Sequence, residues 1–190
     1  MKIQTLTGGF SDPSTDGARA FRVIMNAVAR PGRIGHLTGA TPPSPMSIAA
    51  GTLLLTLCDP DTPIAVVGTL DTDAIRGWIT FHTGAPIVDP DAADYVFGKW
   101  AEVKDLKNLK KGEAQYPDRS ATVVVELDSL VNQGAILTGP GIHTSLELSL
   151  PELELFQQNS ASFPLGLDFI FCCNTQIAGL PRSTKIQEAL

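Results

Sequence analysis

The segment from Phe163 to Phe171 constrains the fold more than any other part of the chain. Pro164 fixes φ and Gly166 permits backbone angles closed to other residues, so the pair sets the direction in which the chain enters a sheet. The residues that follow, 167–171, are apolar except for Asp168 and predict a buried strand. Because an unpaired buried carboxylate is costly, Asp168 needs a cation or N–H donors, and we expect Arg182 beside it at one end of the sheet.

Apolar patterns along the chain predict alternating helices and strands. The predicted helices cover residues 13–30, 46–57, 71–83 and 152–159, and the predicted strands cover residues 33–37, 63–67, 121–127, 134–137, 167–173 and 183–186. In the first helix, Phe21, Ile24, Met25 and Val28 share one face. The second helix is apolar nearly all round and should be central, with Ser44 as its N-cap, while Ser149 to Glu152 has capping-box spacing. This alternation predicts an α/β sandwich of three layers around a mixed sheet.

Composition favours one domain over residues 1–190, because 43% hydrophobic and 18% charged residues suffice for a full core. The formal net charge of −6 argues against a nucleic-acid surface, which needs clustered Lys and Arg. The run of lysines from Lys99 to Lys111 is interleaved with acids and predicts a solvated face. The longest apolar run is too short to span a membrane and no signal-peptide pattern opens the chain, so we expect a cytoplasmic protein.

The motifs of cofactor and metal chemistry are not found in the sequence. Three cysteines, Cys58, Cys172 and Cys173, fit buried thiols in a reducing compartment, and the vicinal pair on a strand should point to opposite faces. The histidines lack metal-ligand spacing. The loop from Thr138 to Gly141 is too short for a phosphate-binding loop, and we interpret it as a tight turn in preference to an anion nest. We therefore expect neither a cofactor nor a metal ion.

Five segments in order resemble PhnH, a family of subunits of the bacterial carbon-phosphorus lyase system. They are Phe21-Arg22 with Met25 and Arg30-Pro31-Gly32; Leu53 to Leu57 with Asp59 and Asp61-Thr62-Pro63; Phe81-His82-Thr83 with Ala85-Pro86; Leu137 to Ile142; and Phe163 to Gly166 with Pro181-Arg182-Ser183-Thr184. The resemblance reaches from about Phe21 to Ile186. At its end this chain has Leu180 and Ser183 where the family pattern has Ile and Thr, and both changes keep the side-chain character.

The resemblance implies a fold like the large domain of pyridoxal-phosphate-dependent transferases, without the cofactor site. Of the lysines, only Lys185, beside Ser183 and Thr184, suggests a Schiff base, and we expect no internal aldimine there. The family also implies a homodimer and companion subunits PhnG, PhnI and PhnJ. The whole assembly attaches a phosphonate to C1 of the ATP ribose, upstream of cleavage of the carbon-phosphorus bond by PhnJ.

Two functions remain open from the sequence. The first, which we prefer, is a noncatalytic assembly subunit, because no nucleophile–base pair is evident. The second is a stand-alone enzyme or a binder of a phosphonate, a nucleotide or another phosphorylated small molecule. The candidate residues for a ligand site or an interface are Arg22, Arg30, Arg33, His82, Thr83, Asp168 and Arg182. For Arg182, pairing with Asp168 and binding a ligand phosphonate are equally open, whereas His82 is better explained as a packed histidine than as a general base.

Overall fold

A computed structural model describes residues 6–189 as five α-helices and nine strands. In chain order the elements are α1 (Pro13–Ala29), β1 (Gly35–His36), α2 (Ile48–Leu57), β2 (Ile64–Val66), α3 (Asp73–Thr83), β3 (Tyr95–Lys99), α4 (Trp100–Val103), β4 (Thr122–Glu126), β5 (Ala135–Thr138), β6 (Leu146–Leu148), α5 (Leu153–Ala161), β7 (Asp168–Cys173), β8 (Gln176–Leu180) and β9 (Lys185–Gln187). The α/β class predicted from the sequence is confirmed.

The main sheet is mixed and has the strand order β1-β8-β7-β4-β3-β2. Strands β2, β3, β4 and β7 are parallel, and β8 and β1 close one edge in antiparallel pairing. Because parallel strands are buried on both faces, they read as continuous apolar runs such as Val123 to Val125. The three strands β6, β5 and β9 form a second, antiparallel sheet.

Each face of the main sheet carries its own core. On one face, Val124, Ile170 and Cys172 pack with helices α1, α2 and α3. On the other face, Phe171 and Cys173 pack with residues of α5 and of the small sheet. Side chains alternate along a strand, so the prediction that Cys172 and Cys173 point to opposite faces is confirmed.

Helix α2 is central, as its sequence predicts, but it begins later than expected. Ser47, and not Ser44, is the N-cap, and its Oγ accepts the N–H of Ala50 at 3.1 Å. The stretch from Ala49 to Leu54 is fully buried, which explains why this helix is apolar on nearly every side. Throughout residues 6–189, no helix combines the length and hydrophobicity that crossing a bilayer requires.

Three strands were missed by the sequence analysis, and a second capping prediction, that for Ser149, is also wrong. Strands β3, β6 and β8 were not predicted, although β3 lies between β2 and β4 in the main sheet. At the start of α5, Ser149 does not cap the helix, because its Oγ accepts the N–H of Val131 at 3.0 Å. The N-cap is Glu152, which makes no capping hydrogen bond with its side chain.

Candidate functional site

A glycine turn clamped by Asn159 directs the chain into β7. Gly166 has φ +125°, and a Cβ there would lie 2.9 Å from Oδ1 of Asn159. The amide of Asn159 donates to the carbonyl of Leu167 at 2.8 Å, and its Oδ1 accepts the N–H of Leu167 at 2.8 Å. Both the backbone angle and the close approach favour glycine at 166. Asp168 therefore leaves the turn in a fixed direction.

Asp168 and Arg182 form an ion pair at the amino ends of the parallel strands. Nε of Arg182 donates to Oδ1 of Asp168 at 3.1 Å, and Nη2 donates to Oδ2 at 2.6 Å. The backbone N–H of Arg182 also donates to Oδ1, at 2.9 Å. Such a two-point contact matches the planar fork of the guanidinium to the carboxylate. The expectation that Arg182 lies beside Asp168 at one end of the sheet is confirmed.

The same guanidinium also holds the loop that precedes β4. Nη1 of Arg182 donates to the carbonyl of Pro117 at 2.8 Å, and Nη2 donates to Oγ of Ser120. The Arg182 side chain is 11% exposed, and four of its five N–H groups are occupied by protein acceptors. Ligands of open α/β sheets bind at the opposite, carboxyl ends of the strands. These contacts favour a structural role for Arg182, and a ligand or interface role stays a prediction.

The other three candidate arginines lie on or just after α1 and are exposed. Arg22 is on the helix, Arg30 is its C-cap and Arg33 follows in the next turn. Within residues 6–189 their guanidinium groups take part in no hydrogen bond or ion pair. They are therefore not assembled into a built anion site, and they are free to contact a partner.

Helix α1 carries an uncovered apolar face next to Arg22. Of the four residues predicted to share one face, only Ile24 is buried, whereas Phe21 and Met25 are each 50% exposed and Val28 is 38% exposed. The helix packs through Ala20, Ile24 and Ala27 instead. The sequence correctly grouped the apolar side chains, but they do not all face the core. We call Phe21, Met25 and Val28 the α1 apolar face.

His82 fastens the segment before α1 to α3. Its Nε2 and the indole Nε1 of Trp78 both donate to the carbonyl of Thr7, at 3.2 and 3.0 Å. The imidazole packs against the ring of Trp78 at 5.0 Å between centroids, and a Cβ at Gly9 would lie 2.7 Å from Nδ1. Since a carbonyl only accepts, Nε2 carries the proton in this contact. These contacts agree with a packed histidine, because Nε2 is used by the carbonyl of Thr7 and the backbone at Gly9 lies close to Nδ1.

Thr83 ends α3 and its hydroxyl is used by the backbone. Oγ1 donates to the carbonyl of Ile79 at 2.9 Å and accepts the N–H of Ala85 at 3.1 Å. The hydroxyl thereby stabilises the turn at Gly84, which has φ +68°. These contacts do not test a binding role for Thr83, which stays a prediction.

The cysteines of residues 6–189 are not activated as nucleophiles. All three cysteines are free and buried, and burial raises the pKa of Cys58 to about 12 and that of Cys172 well above its usual range. In this part of the chain, Nδ1 of His36 lies 3.3 Å from Oγ1 of Thr175, which is the distance of a histidine that could activate a hydroxyl. His36 is exposed, however, and no third group orients its ring. Lys185 is exposed on β9, in the small sheet.

Sequence reasoning missed the polar residues at the carboxyl ends of the parallel strands. Lys99 ends β3 and Glu126 ends β4, and the two are paired in register. Glu126 is 9% exposed, and burial raises the pKa of its carboxyl more than the N–H and the side chain of Ser47 and the charge of Lys99 lower it. In the sequence, these residues are marked by a single charged residue at the end of each apolar run. This pattern could have predicted the pair only if β3 had been recognised as a strand.

Fold and site together define a class of protein. It is an α/β protein with a mixed sheet, an ion-paired turn at the amino ends of its strands and an exposed apolar helix face beside unpaired arginines. Residues 8–187 match the family described as "Bacterial phosphonate metabolism protein (PhnH)". The chain belongs to this PhnH family, which confirms the resemblance found in its motifs.

Two relatives support this assignment over nearly their full lengths. A protein of Rhizobium meliloti (strain 1021), "Alpha-D-ribose 1-methylphosphonate 5-triphosphate synthase subunit PhnH", is 39% identical over 193 residues, covering 97% of this chain and 96% of the relative. The "Putative C-P lyase subunit protein HtxG" of Stutzerimonas stutzeri is 29% identical over 174 residues, covering 88% of this chain and 84% of the relative.

Proposed function

We propose that this chain is a noncatalytic assembly subunit of a carbon-phosphorus lyase core complex. In this proposal the complex joins a phosphonate to C1 of the ATP ribose, upstream of carbon-phosphorus cleavage, and the chain supplies binding surface for other subunits. The proposal is supported by family membership and by the relative from Rhizobium meliloti, which is itself named as a synthase subunit.

The observation that carries the proposal is the α1 apolar face. Three large apolar side chains on one helix surface, two of them half exposed, form a patch of the kind that marks interaction sites. Arg22 lies beside it and adjoins a hollow lined by Phe10, Phe21 and Leu55. Aromatic, Met and Arg side chains are enriched at protein interfaces, and Phe21, Met25 and the adjacent Arg22 supply one of each.

Co-purification with companion subunits tests the proposal. The tagged chain, expressed with PhnG, PhnI and PhnJ, should retain them, and the double change Phe21→Ser and Met25→Ser should reduce that recovery at least about tenfold, because hot-spot contacts dominate binding. Tyr116→Ser is the matched control, since Tyr116 is a 45% exposed aromatic residue away from α1. Failure of the unchanged chain to retain any companion would refute the assembly role.

A homodimer is a second part of the proposal. The α1 apolar face is available to a second copy related by a two-fold axis, which would make the contact isologous. Light scattering of the purified chain at micromolar concentration should give twice the chain mass, and the Phe21→Ser, Met25→Ser variant should shift it to the monomer. A monomer mass for the unchanged chain would refute the proposed homodimer.

The stand-alone enzyme is the alternative that the contacts disfavour. The N–H groups of Arg182 are largely occupied, and Arg22, Arg30 and Arg33 lie on open surface.

We also infer a likeness to the large domain of pyridoxal-phosphate-dependent transferases, for which the mixed sheet between helices is the support. The purified chain should show no pyridoxal absorbance and no turnover of ATP or methylphosphonate, and turnover by the chain alone would refute the noncatalytic role.

A further inference from the structure

A groove lined by lysines lies between α5 and the segment that follows α4. It has a volume of about 260 Å³, and Lys104, Lys107 and Lys111 line it together with Asp105 and residues of α5 and the glycine turn. All three lysines are exposed. Because the whole chain has a formal net charge of −6, a local excess of positive charge is unusual on its surface. We call this feature the lysine groove.

The positive charge of the lysine groove is largely unneutralised. Within residues 6–189, Lys107 and Lys111 form no ion pair. Lys104 lies 3.9 Å from Glu152, and the two side chains are 53% and 40% exposed, so this pair contributes little. The acid in the groove lining is Asp105. Like charges along one groove repel each other, and a negatively charged partner would relieve that repulsion.

Both walls of the lysine groove are held in place by hydrogen bonds. On one wall, the carbonyl of Lys111 accepts the N–H of Gly166 at 2.9 Å, and the N–H of Lys104 donates to the carbonyl of Trp100 at 3.0 Å. On the other wall, the side chain of Asn159 is fixed by its two bonds to Leu167. A groove with fixed walls loses little conformational freedom when a partner binds, which favours association.

Apolar side chains lie next to the lysines. Leu155 and the buried Leu167 line the groove, so it can accept an aliphatic side chain as well as carboxylates. Phe163 lies in the turn between Ser162 and Gly166, which both line the groove, and it is 60% exposed. Aromatic side chains are enriched at protein interfaces. The groove therefore suits a peptide segment that carries acidic residues and at least one apolar residue.

Nucleic acid fits the lysine groove less well than an acidic peptide does. Among residues 6–189, no arginine lines the groove, although the guanidinium fork is the group that matches phosphate best. Single strands stack on several aromatic side chains, and the turn beside the groove offers Phe163. A long polyanion would also approach the remaining, negatively charged surface of the chain, whereas a short acidic segment stays within the groove.

The lysine groove and the α1 apolar face lie on opposite sides of the main sheet. Helix α1 contributes Ile24 to the core on one face of the sheet, and α5 contributes Phe156 to the core on the other face. A protein bound to the α1 apolar face therefore leaves the lysine groove uncovered. The chain can hold one partner at each side at the same time.

We propose that the lysine groove binds a short acidic segment of a companion subunit, with carboxylates against Lys104, Lys107 and Lys111 and an apolar side chain against Leu155. The inference rests on the proposed assembly role and adds to it a second contact, which is electrostatic where that of α1 is apolar. The chain then connects a partner at α1 to another partner at α5.

Charge reversal in the co-purification assay tests the proposal. The double variant Lys107→Glu and Lys111→Glu should reduce recovery of the companion subunits at least about tenfold, because like charges then face the acidic segment. The matched control is Lys107→Arg with Lys111→Arg, which keeps both charges and should retain the companions. Raising the salt to about 0.5 M should also reduce recovery by the unchanged chain, since exposed charges are then screened. If the double variant fails to fold, Lys104→Glu with Lys107→Glu gives the same test.

A labelled oligoglutamate peptide measures the groove without any companion subunit. Fluorescence anisotropy at low salt should show a Kd below about 1 mM, and charge reversal should weaken this binding at least about tenfold. Oligothymidine of the same length, and inorganic phosphate at the same ionic strength, should each bind at least about tenfold more weakly than the peptide. Light scattering should give the same mass for the charge-reversed chain as for the unchanged chain.

Four results would overturn the inference. They are absence of oligoglutamate binding up to about 1 mM, tighter binding of oligothymidine or phosphate than of the peptide, a lower mass of the charge-reversed chain, which would make a second copy the occupant, and companion recovery that charge reversal leaves unchanged. In the last case the assembly role stands and only this inference fails. If the unchanged chain retains no companion, the assembly role fails, and the peptide measurement alone decides whether the groove binds acidic segments.

Discussion

Removal of the Arg182 guanidinium should destabilise the protein by about 3 kcal/mol. Breaking a fully buried ion pair costs about 3 to 5 kcal/mol and breaking an exposed pair at most about 1. Here the Arg182 side chain is 11% exposed but that of Asp168 is 32% exposed, which places the cost near the lower end of the buried range. Arg182→Ala also leaves the carbonyl of Pro117 without its donor. Asp168 keeps one bond, from the backbone N–H of residue 182.

Urea and thermal denaturation of Arg182→Ala and Asp168→Asn measure this cost. For a chain of this size, about 3 kcal/mol corresponds to a fall in Tm of about 6 to 12 °C. The double variant should cost less than the sum of the single variants, because the two side chains act as one pair. The matched control is Arg76→Ala, since Arg76 pairs with Asp71 through two N–H groups while both side chains are about 40% exposed, at 44% and 38%. Its cost should be at most about 1 kcal/mol.

A loss of stability for Arg182→Ala no larger than for Arg76→Ala would refute this reasoning. A ligand role for Arg182 gives the opposite pattern, with nearly normal folding and failed growth on methylphosphonate. Parallel denaturation and growth assays therefore separate the structural role from the ligand role.

Gly141 has φ +82°, and a Cβ there would lie 2.1 Å from a carbonyl oxygen at the end of α1, so Gly141→Ala should destabilise by at least about 1 to 2 kcal/mol in urea denaturation. Gly17→Ala, inside α1 with a single ring atom of Phe10 at an ordinary contact distance of 4.0 Å, should instead stabilise by about 0.5 to 1 kcal/mol. Equal effects of the two substitutions on stability would contradict this explanation. Burial raises the pKa of Glu126, so between the ordinary pKa of glutamate and the raised one the folded state keeps a proton that the unfolded state releases. The free energy of unfolding, compared with that of Glu126→Gln, should therefore fall as the pH rises through this window. A difference in unfolding free energy between the unchanged chain and Glu126→Gln that stays constant across a pH series would refute this prediction. Iodoacetamide should leave Cys58 and Cys172 unmodified until denaturant is added, as mass spectrometry of the peptides can verify, and rapid labelling of the folded chain would contradict their burial.

Elements with long apolar runs could be predicted from the sequence, and elements defined by their neighbours could not. Strand β4 is apolar from Val123 to Val125, β7 is apolar from Phe169 to Cys173, and helix α2 is apolar except for two threonines, so local pattern suffices. Strand β3 has only Tyr95, Val96 and Phe97 before Gly98. A Cβ at Gly98 would lie 2.6 Å from side-chain atoms of Val67 and Val103, so this position is explained by packing that comes from other parts of the chain.

The candidate site divides along the same line. The pairing of Asp168 with Arg182 could be predicted because a carboxylate at the start of a buried strand requires a partner nearby in the chain. The exposure of Phe21 and Met25 could not be predicted, because periodicity shows which residues share a helix face but not whether another element covers that face. The neighbouring positions of Lys99 and Glu126 follow from the register of β3 and β4, which no local pattern contains.

Strand order also has a consequence for synthesis on the ribosome. β1, near the start of the chain, pairs only with β8, near its end, and β9 completes the small sheet later still. The parallel strands β2, β3 and β4 can associate in the order in which they emerge, but α1 and β1 have no sheet to join until β8 is made. Throughout that interval the part of α1 that packs on β8 stays exposed, as does the α1 apolar face, whereas the contacts of α1 with α2 can form as soon as α2 emerges. A nascent chain halted before β8 should therefore be captured by chaperones through α1, whereas one released after β9 should not.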